Sequence, residues 1–479
     1  MAYYLAVDLG TTGCRCILFN EGLHQLAMSY REYPLITPQE GWVEQDANLW
    51  WELTKQTAKE AISNSGVSGK DVSGISISSQ GITVVPVDEE FQPLCNALSW
   101  LDVRAVEECK QIDADYGQDY IFTHTGKPIN ACYSLPKILW LQKHNREIYD
   151  KAWKLLMPMD FLTAKFTGEC VTDHSMASGT LIYDIRNLCW SREILKHYSI
   201  GEDKLPKLAW SGQKVGYVLP DVAEELGLSD KCVVALGAQD QKCAAFGVGL
   251  QDGIMTISLG TAAAITKLWT EAKTEDNHGV GWCGYIQPGT WVTEGVINTA
   301  GTCLRWVRDL LFCAEGYDML NREAEQALRR ECSLLFYPYM SGPSSPDYYE
   351  DAQGSFYGVH LGTQRGDFAL SVMEGIAFQI RILLEAMEAK NAVHTIVIFG
   401  GGANSPLWCQ IIADVTGMRI CIPDITEAAS AGAAILAAKA VNQSIAHLSY
   451  SNIYMPSERA EIYDEKYKKY RIIERKLWA

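Results

Sequence analysis

The chain contains one short pattern twice. "VDLGTTGCRCILF" at residues 7–19 and "GIMTISLGTAAAITKLW" at 253–269 both read as strand, small-residue turn, strand, and Gly260-Thr261 follows Gly10-Thr11 by 250 positions. Similarity at half the chain length constrains the fold to two domains of related design that face each other. In each copy β-favouring residues flank the turn, so the turn projects backbone N–H groups and hydroxyls from a hairpin tip. Such a tip suits a phosphate. Glycine permits close backbone approach, the Thr11 and Thr12 hydroxyls add donors, Arg15 adds positive charge, and Asp8 suits a divalent cation. A plain hairpin turn has the same sequence, so the tip alone does not decide the matter.

At 479 residues the chain is longer than one core usually supports, and two domains fit it. A formal net charge of −17 argues against nucleic acid or an anionic membrane as partner. Bound phosphates then need local donors and Mg²⁺ to override the global field. The N-terminus enters a strand without a basic, then apolar leader, and no apolar run approaches a membrane span, which places the protein in the cytoplasm. The 15 Cys are scattered without a C-x-x-C pair, so reduced, mostly buried thiols are expected rather than disulfides or a metal site.

The pass along the chain predicts a helix in "DANLWWELTKQTAKEAISNSG", with Asp46 as N-cap and Gly66 near its end, then strands "GISISS" and "TVVPVD". The glycine-rich "AAFGVGLQDG" (244–253) reads as a hinge. "HTIVIFGGGANSPLWCQIIADVTG" gives a strand, a triple-glycine turn and a helix with Ser405 as N-cap, Pro406 at N1 and Gly417 at its end. Backbone donors at that turn suit an anion or nucleotide, and tight strand-to-helix packing is the competing reading. In "LSVMEGIAFQIRILLEAME" the stripe Leu370, Met373, Ala377, Ile380, Leu384 and Met387 is core. The tail "SERAEIYDEKYKKYRIIERKLW" is a charged amphipathic helix expected to pack on the surface.

Neither G-x-x-x-x-G-K-[ST] nor a strand-to-helix G-x-G-x-x-G occurs. Phosphate is therefore expected between two hairpin tips from opposite domains, in the cleft that separates them. A phosphoryl acceptor needs a base for its hydroxyl proton, and Asp240 in "VVALGAQDQKCAAFGVG" is the candidate. Helix N-capping is its structural alternative, and a helix N-terminus would keep the carboxylate ionised. "SISSQGITVVPVD" and "ALSWLDVRA" place Gln80, Gly81, Ile82, Trp100, Asp102 and Arg104 near strand ends. Trp100 offers a flat apolar wall to a sugar, and Asp102 and Arg104 offer hydrogen bonds to hydroxyls. A buried Trp beside a surface ion pair is the alternative.

Together these segments resemble the FGGY carbohydrate kinases over nearly the whole chain. "DLGTTGCR" is similar to the family's first phosphate motif, "GAQDQKCAAFGVG" to its catalytic-aspartate segment and "SLGTAA" to its second phosphate motif. "GGGANSPLWCQIIADVTG" is similar to its adenosine motif, and "GSFYGVHLGTQRGDFALSVME" (354–374) to its C-terminal signature. The resemblance implies an α/β fold of two actin-like (RNase H-like) domains, 1–245 binding sugar and 246–479 binding ATP, that close on Mg-ATP and a sugar or polyol. It implies Asp240 as base and Asp8 near the metal. The nucleotide would meet Gly10, Thr11, Thr12, Arg15, Gly260, Thr261, Gly301, Gly400, Gly401, Gly402, Ala403 and Asn404.

Departures from the family inform the substrate. Xylulokinases carry Met-His, and glycerol kinases Arg-Glu, where this chain has Gly81-Ile82, and a glycerol kinase usually has Tyr in place of Cys132. Glycerol is disfavoured, xylulose is left open, and Ile82 would suit a deoxy or less hydroxylated acceptor. "SGPSSP" (341–346) also replaces the usual Gly-Glu-Arg turn. The expected activity is ATP-dependent phosphorylation of a ketose or polyol, with a deoxy-ketose or other carbohydrate as alternative and a homodimer as a possible assembly. An actin- or chaperone-type ATPase switch is the competing class, and it needs no sugar pocket.

Overall fold

The computed structural model of the chain describes residues 2–478 apart from 276–278, 313–314, 331, 343, 389–391 and 446–448. Two mixed sheets carry the fold. In the first, β1 (Tyr3–Leu9), β2 (Gly13–Asn20), β3 (Gln25–Glu32), β4 (Val72–Ser79), β5 (Lys214–Tyr217) and β6 (Val233–Gln239) lie in the order β5-β6-β4-β1-β2-β3. The second sheet contains β7 (Ile254–Leu259), β8 (Ala263–Trp269), β9 (Gly281–Gly284), β10 (Trp291–Ile297), β11 (Thr395–Phe399), β12 (Arg419–Pro423) and β13 (Tyr450–Tyr454). Their order is β9-β10-β8-β7-β11-β12-β13.

The two sheets repeat one plan. β1 pairs antiparallel with β2 and parallel with β4, and β7 does the same with β8 and β11. A further parallel strand and an antiparallel edge strand follow in each, β6 and β5 in the first sheet and β12 and β13 in the second. The duplicated sequence pattern is thus a duplicated topology, and its two turns occupy equivalent hairpin tips. This is a two-domain, actin-like α/β architecture.

Eight helices position the site: α1 (Ala47–Ser65), α2 (Asp240–Gly247), α3 (Gly301–Leu311), α4 (Gly316–Arg329), α5 (Arg365–Ala386), α6 (Pro406–Thr416), α7 (Ala428–Ala440) and α8 (Ala460–Trp478). α1 begins where Asp46 accepts from Asn48 N at 2.9 Å and ends at Gly66, whose φ of 70° is left-handed. Its buried face covers β2, where the Cys14 thiol lies 3.3 Å from the Thr54 hydroxyl. Every described cysteine is a free thiol, while Cys313 lies outside the described residues.

The opposite face of the first sheet is covered by α7, a helix from the second half of the chain. Its Ala433, Ala434 and Ala437 pack with Tyr4, Ala6, Ile17 and Phe19. Small side chains let this helix lie close to the strands. The α5 stripe is buried as expected, but burial extends round most of the helix, because α3, α4, α6 and β10 also pack on it. The tail helix α8 seats Tyr463, Tyr467 and Tyr470 beside Phe378 of α5. Of the hinge segment 244–253, the first four residues belong to α2, and the irregular connection is confined to Val248–Gly253. Pro343 of the "SGPSSP" turn lies outside the described residues.

Candidate active site

At the end of β1 the first turn closes with Gly10 N donating to Gly13 O at 2.9 Å. Thr12 is exposed and Thr11 half-buried. At the equivalent place in the second sheet, Gly260 N donates to Ala262 O at 2.9 Å, and Gly301 N, opening α3, donates to Gly260 O at 2.9 Å. A cavity of about 560 Å³ adjoins this second tip. It brings together Gly260, Thr261, Gly301, Gly401, Gly402 and Asn404, all selected from sequence. Gly400 and Ala403 are not among its lining residues; they shape the turn that carries Gly401 and Gly402. Tyr317 and Asn321, one helical turn apart on α4, also line the cavity and were not selected. An amphipathic spacing alone does not tell a cavity face from a core face.

Arg15 does not present a free guanidinium to a phosphate. It forms an ion pair with Glu427, which precedes α7, so the first phosphate turn is tied to the second half of the chain. Arg15 is also the register partner of Asp8 across the β1–β2 hairpin. Burial raises the Asp8 carboxyl, and Arg15 offsets part of that rise.

Asp240 opens α2 at the carboxyl end of β6; Gln239, not Asp240, is the N-cap. The Asp240 carboxylate accepts from Gln241 N at 2.7 Å and from the Gln239 side chain. Burial, and next the charge of Asp8, push its pKa up to about 7. The sequence reading that the helix N-terminus keeps Asp240 fully ionised is therefore corrected. Desolvation and a neighbouring carboxylate outweigh the helix end, leaving a base poised near neutrality.

Two carboxylates in mutual repulsion are a fitting place for a hard cation. Among the described residues no group of three or more His, Cys, Asp or Glu side chains could hold a metal. Mg²⁺ commonly takes one or two carboxylates and completes its shell with water and phosphate oxygens, a donor set that Asp8 and Asp240 could supply.

On the acceptor side, Gln80 Nε2 donates to Gln45 Oε1 at 3.0 Å and Gln45 Nε2 to Thr11 O at 2.6 Å. Trp100 Nε1 donates to Thr11 Oγ1 at 2.9 Å, and the ring is 37% exposed, so it is not the buried tryptophan of the competing reading. Gln80 and Trp100 thus converge on the first phosphate turn through Thr11. The buried Oε1 atoms of Gln80 and Gln239 have no hydrogen-bond partner among the described residues. Gly81 packs on Gln239, where a Cβ would lie 3.0 Å from Gln239 Cγ.

Asp102 and Arg104 are placed differently from expectation. Both are buried, and Arg104 Nη2 lies 2.7 Å from Asp102 Oδ2 and 2.7 Å from Glu44 Oε1. The guanidinium is also stacked 3.7 Å from the Trp42 ring centroid. Their hydrogen bonds go to each other, to Glu44 and to Val43 N, so they fix the loop that carries Trp100. Ile82 is half-buried with φ 71°, a left-handed conformation rare for a β-branched residue. Its carbonyl accepts from Ser134 Oγ at 2.9 Å.

Two contacts had no signal in either half of the sequence alone. Lys242 of α2 pairs with Glu294 of β10 at 2.8 Å, joining the base-bearing helix to the second sheet. Gln45, which links Gln80 to Thr11, lies in a short loop strand without a motif.

Known proteins resemble this chain over nearly its whole length. The model of the FGGY family of carbohydrate kinases, N-terminal domain, matches residues 3–247, and that of its C-terminal domain matches 255–441. A xylulose kinase of Bacillus subtilis (strain 168) is 32% identical over 440 residues, 91% of this chain and 88% of that protein. A gluconokinase of the same strain is 27% identical over 485 residues, 98% and 94% of the two chains. The crystal structure of a xyloylose kinase from Brucella ovis superposes with a TM-score of 0.91 at 27% identity, covering 99% of each chain.

Proposed function

The chain belongs to the FGGY family of carbohydrate kinases, and from that premise we propose that it transfers the γ-phosphoryl group of Mg-ATP to a hydroxyl of an open-chain acceptor. The acceptor class is a ketose of the xylulose type, a polyol, or a related carbohydrate such as a deoxy-ketose. The halves 1–245 and 246–479 act as the two jaws, the first holding the acceptor and the second the nucleotide.

In this reading the cavity beside Gly260, Thr261 and Gly401 takes the nucleotide, and the Gly10-Thr11 tip meets its terminal phosphates from the other side. Asp8, with Asp240 nearby, would hold Mg²⁺, which supplies charge neutralisation at the phosphates. Asp240 accepts the acceptor's hydroxyl proton as that oxygen attacks phosphorus, and ADP departs. Gln80 and Gln239 hold neighbouring hydroxyls through their unpaired carbonyls. Closure of the jaws excludes water and suppresses hydrolysis of ATP. We place the enzyme in the cytoplasm, acting on small molecules without nucleic acid or membrane, and as a homodimer. Among the described residues no helix is long and apolar enough to cross a membrane.

The observation that carries the reading is the position of Asp240, at a strand end beside the first phosphate turn and hydrogen-bonded for orientation by Gln239 and Gln241. Asp240→Asn removes the base and no phosphate contact. Acceptor-dependent turnover should fall by roughly 10² to 10⁴, the usual worth of a general base, with ATP affinity nearly kept. A variant retaining more than half of wild-type kcat contradicts the assignment.

A further inference from the structure

The strand that delivers Asp240 breaks its register just before it ends. β6 pairs with β4 up to Ala235 and again from Ala238, with a shift between the two. Within that shift a Cβ on Gly237 would stand 1.7 Å from Ile77 O, an approach that only glycine permits. A bulge of this kind re-aims the residues that follow it. Beyond it, Gln239 N donates to a side chain from another segment, Ser175 Oγ, at 3.0 Å. Ser175 is 3% exposed and sits in the short helix His174–Ala177. Asp173, wholly buried, caps that helix: Oδ2 accepts from Ser175 N and Oδ1 from Met176 N, each at 3.0 Å. Ser211 Oγ donates to Asp173 Oδ2 at 2.8 Å. Burial raises the Asp173 carboxyl, and the Ser175 side chain is the foremost of the hydrogen bonds that offset the rise. The Ser175 hydroxyl thus accepts from the Gln239 amide and donates to Asp173.

The same segment meets the acceptor loop and the other half of the chain. A Cβ on Gly81 would lie 3.8 Å from Met176 Sδ, and one on Gly179 would lie 2.9 Å from Ile82 Cγ1. Ser178 Oγ accepts from Gly284 N of β9 at 2.8 Å. Residues 173–179 are therefore a seat on which the end of β6, the Gly81-Ile82 loop and one edge of the second sheet all rest. Of these ties, Ser175's is the one that reaches a residue holding the base. Gln239 precedes Asp240 in the chain, and its side chain donates to the Asp240 carboxylate. Anchoring the Gln239 amide fixes the backbone from which Asp240 springs and, with it, one of the donors that orient its carboxylate. Neither Asp173 nor Ser175 lines the nucleotide cavity.

We infer that Ser175, oriented by Asp173, is a positioning residue that aims the Asp240 carboxylate at the acceptor hydroxyl through the Gln239 backbone. This inference rests on the kinase reading and adds to it a group that touches neither acceptor nor nucleotide. A catalytic group displaced by about 1 Å costs up to roughly 10² in rate, so the effect of losing the anchor falls on the chemical step. Nucleotide binding is spared.

The test is a double-mutant cycle on kcat, with xylulose as the first acceptor tried and other ketoses, polyols and aldonates next. Ser175→Ala should lower kcat about tenfold to a hundredfold with KM for ATP kept. In the Asp240→Asn background the same substitution should change kcat by less than about twofold, because the anchor has nothing to aim once the base is gone. Equal losses in the two backgrounds overturn the inference and make Ser175 a structural residue. Full kcat in Ser175→Ala, or a loss confined to KM for ATP, overturns it as well. Each of these results leaves the kinase reading standing, whereas a wild type that phosphorylates no acceptor defeats that reading and this inference together. Should Ser175→Ala not fold, Ser175→Cys, close in size but a weak acceptor, enters the same cycle under the same criteria.

Discussion

Gly247 and Gly432 pack backbone against backbone where α2 of the first half crosses α7 of the second. A Cβ on Gly432 would overlap the Cys243 carbonyl, and one on Gly247 would overlap Ala428 O. Both glycines have negative φ, so close approach and not a special turn requires them. The two helices that meet here carry the base and follow the Arg15–Glu427 ion pair. Gly432→Ala should therefore cost about 1 to 3 kcal/mol of stability, as overpacking does, and lower the thermal midpoint. An unchanged midpoint means that the helices have room to slide.

The raised pKa of Asp240 predicts where activity is lost in acid. The base works only when deprotonated, so kcat/KM should fall as pH drops through about 7, far above the range of an ordinary aspartate. Asp8 is the second cause of the shift. Asp8→Asn should move the acid limb to lower pH, whatever it costs in absolute rate. A limb that stays in place in the Asp8 variant assigns the titration to another group.

Gly401 lines the nucleotide cavity, and a Cβ there meets nothing within 4 Å. A large side chain can enter that space without disturbing the protein. Gly401→Leu should raise KM for ATP about tenfold or more, with the thermal midpoint and the acceptor preference unchanged. Undiminished ATP affinity in this variant would remove the cavity from the nucleotide site.

Ile82 is held in a conformation that costs a β-branched residue about 1 to 3 kcal/mol. Asn tolerates left-handed backbone and Val does not. Ile82→Asn should be at least as stable as wild type by denaturant unfolding despite the lost apolar contact, and Ile82→Val should not gain. If Ile82 also faces the acceptor, Ile82→Asn alters the ratio of kcat/KM for matched hydroxy and deoxy ketoses, and an unaltered ratio makes Ile82 structural.

The duplicated hairpin and the triple-glycine turn were legible because their function lies in the backbone. Gly260-Thr261, Gly401 and Gly402 meet at one cavity as their local pattern suggests. Asp240 was legible from the strand end before it, but its charge state was not, since that depends first on burial and next on Asp8, distant in sequence. Asp102 and Arg104 looked like sugar contacts because polar residues after a strand often line a cleft. Trp42 and Glu44, from another segment, close over them. Lys242 and Glu294 pair only when a helix of the first half meets a strand of the second, and no spacing rule reaches that far.

The central claim is transfer of phosphate to a small carbohydrate, as opposed to an ATP-driven conformational switch. A coupled ATP-consumption assay over a panel of ketoses, deoxy-ketoses, polyols and aldonates tests it most directly, with the phosphorylated product identified by mass. The account predicts negligible ADP formation without an acceptor, and one phosphorylated acceptor formed for each ADP when the right one is present. ATP turnover that is indifferent to every acceptor, with no phosphorylated sugar formed, would contradict it.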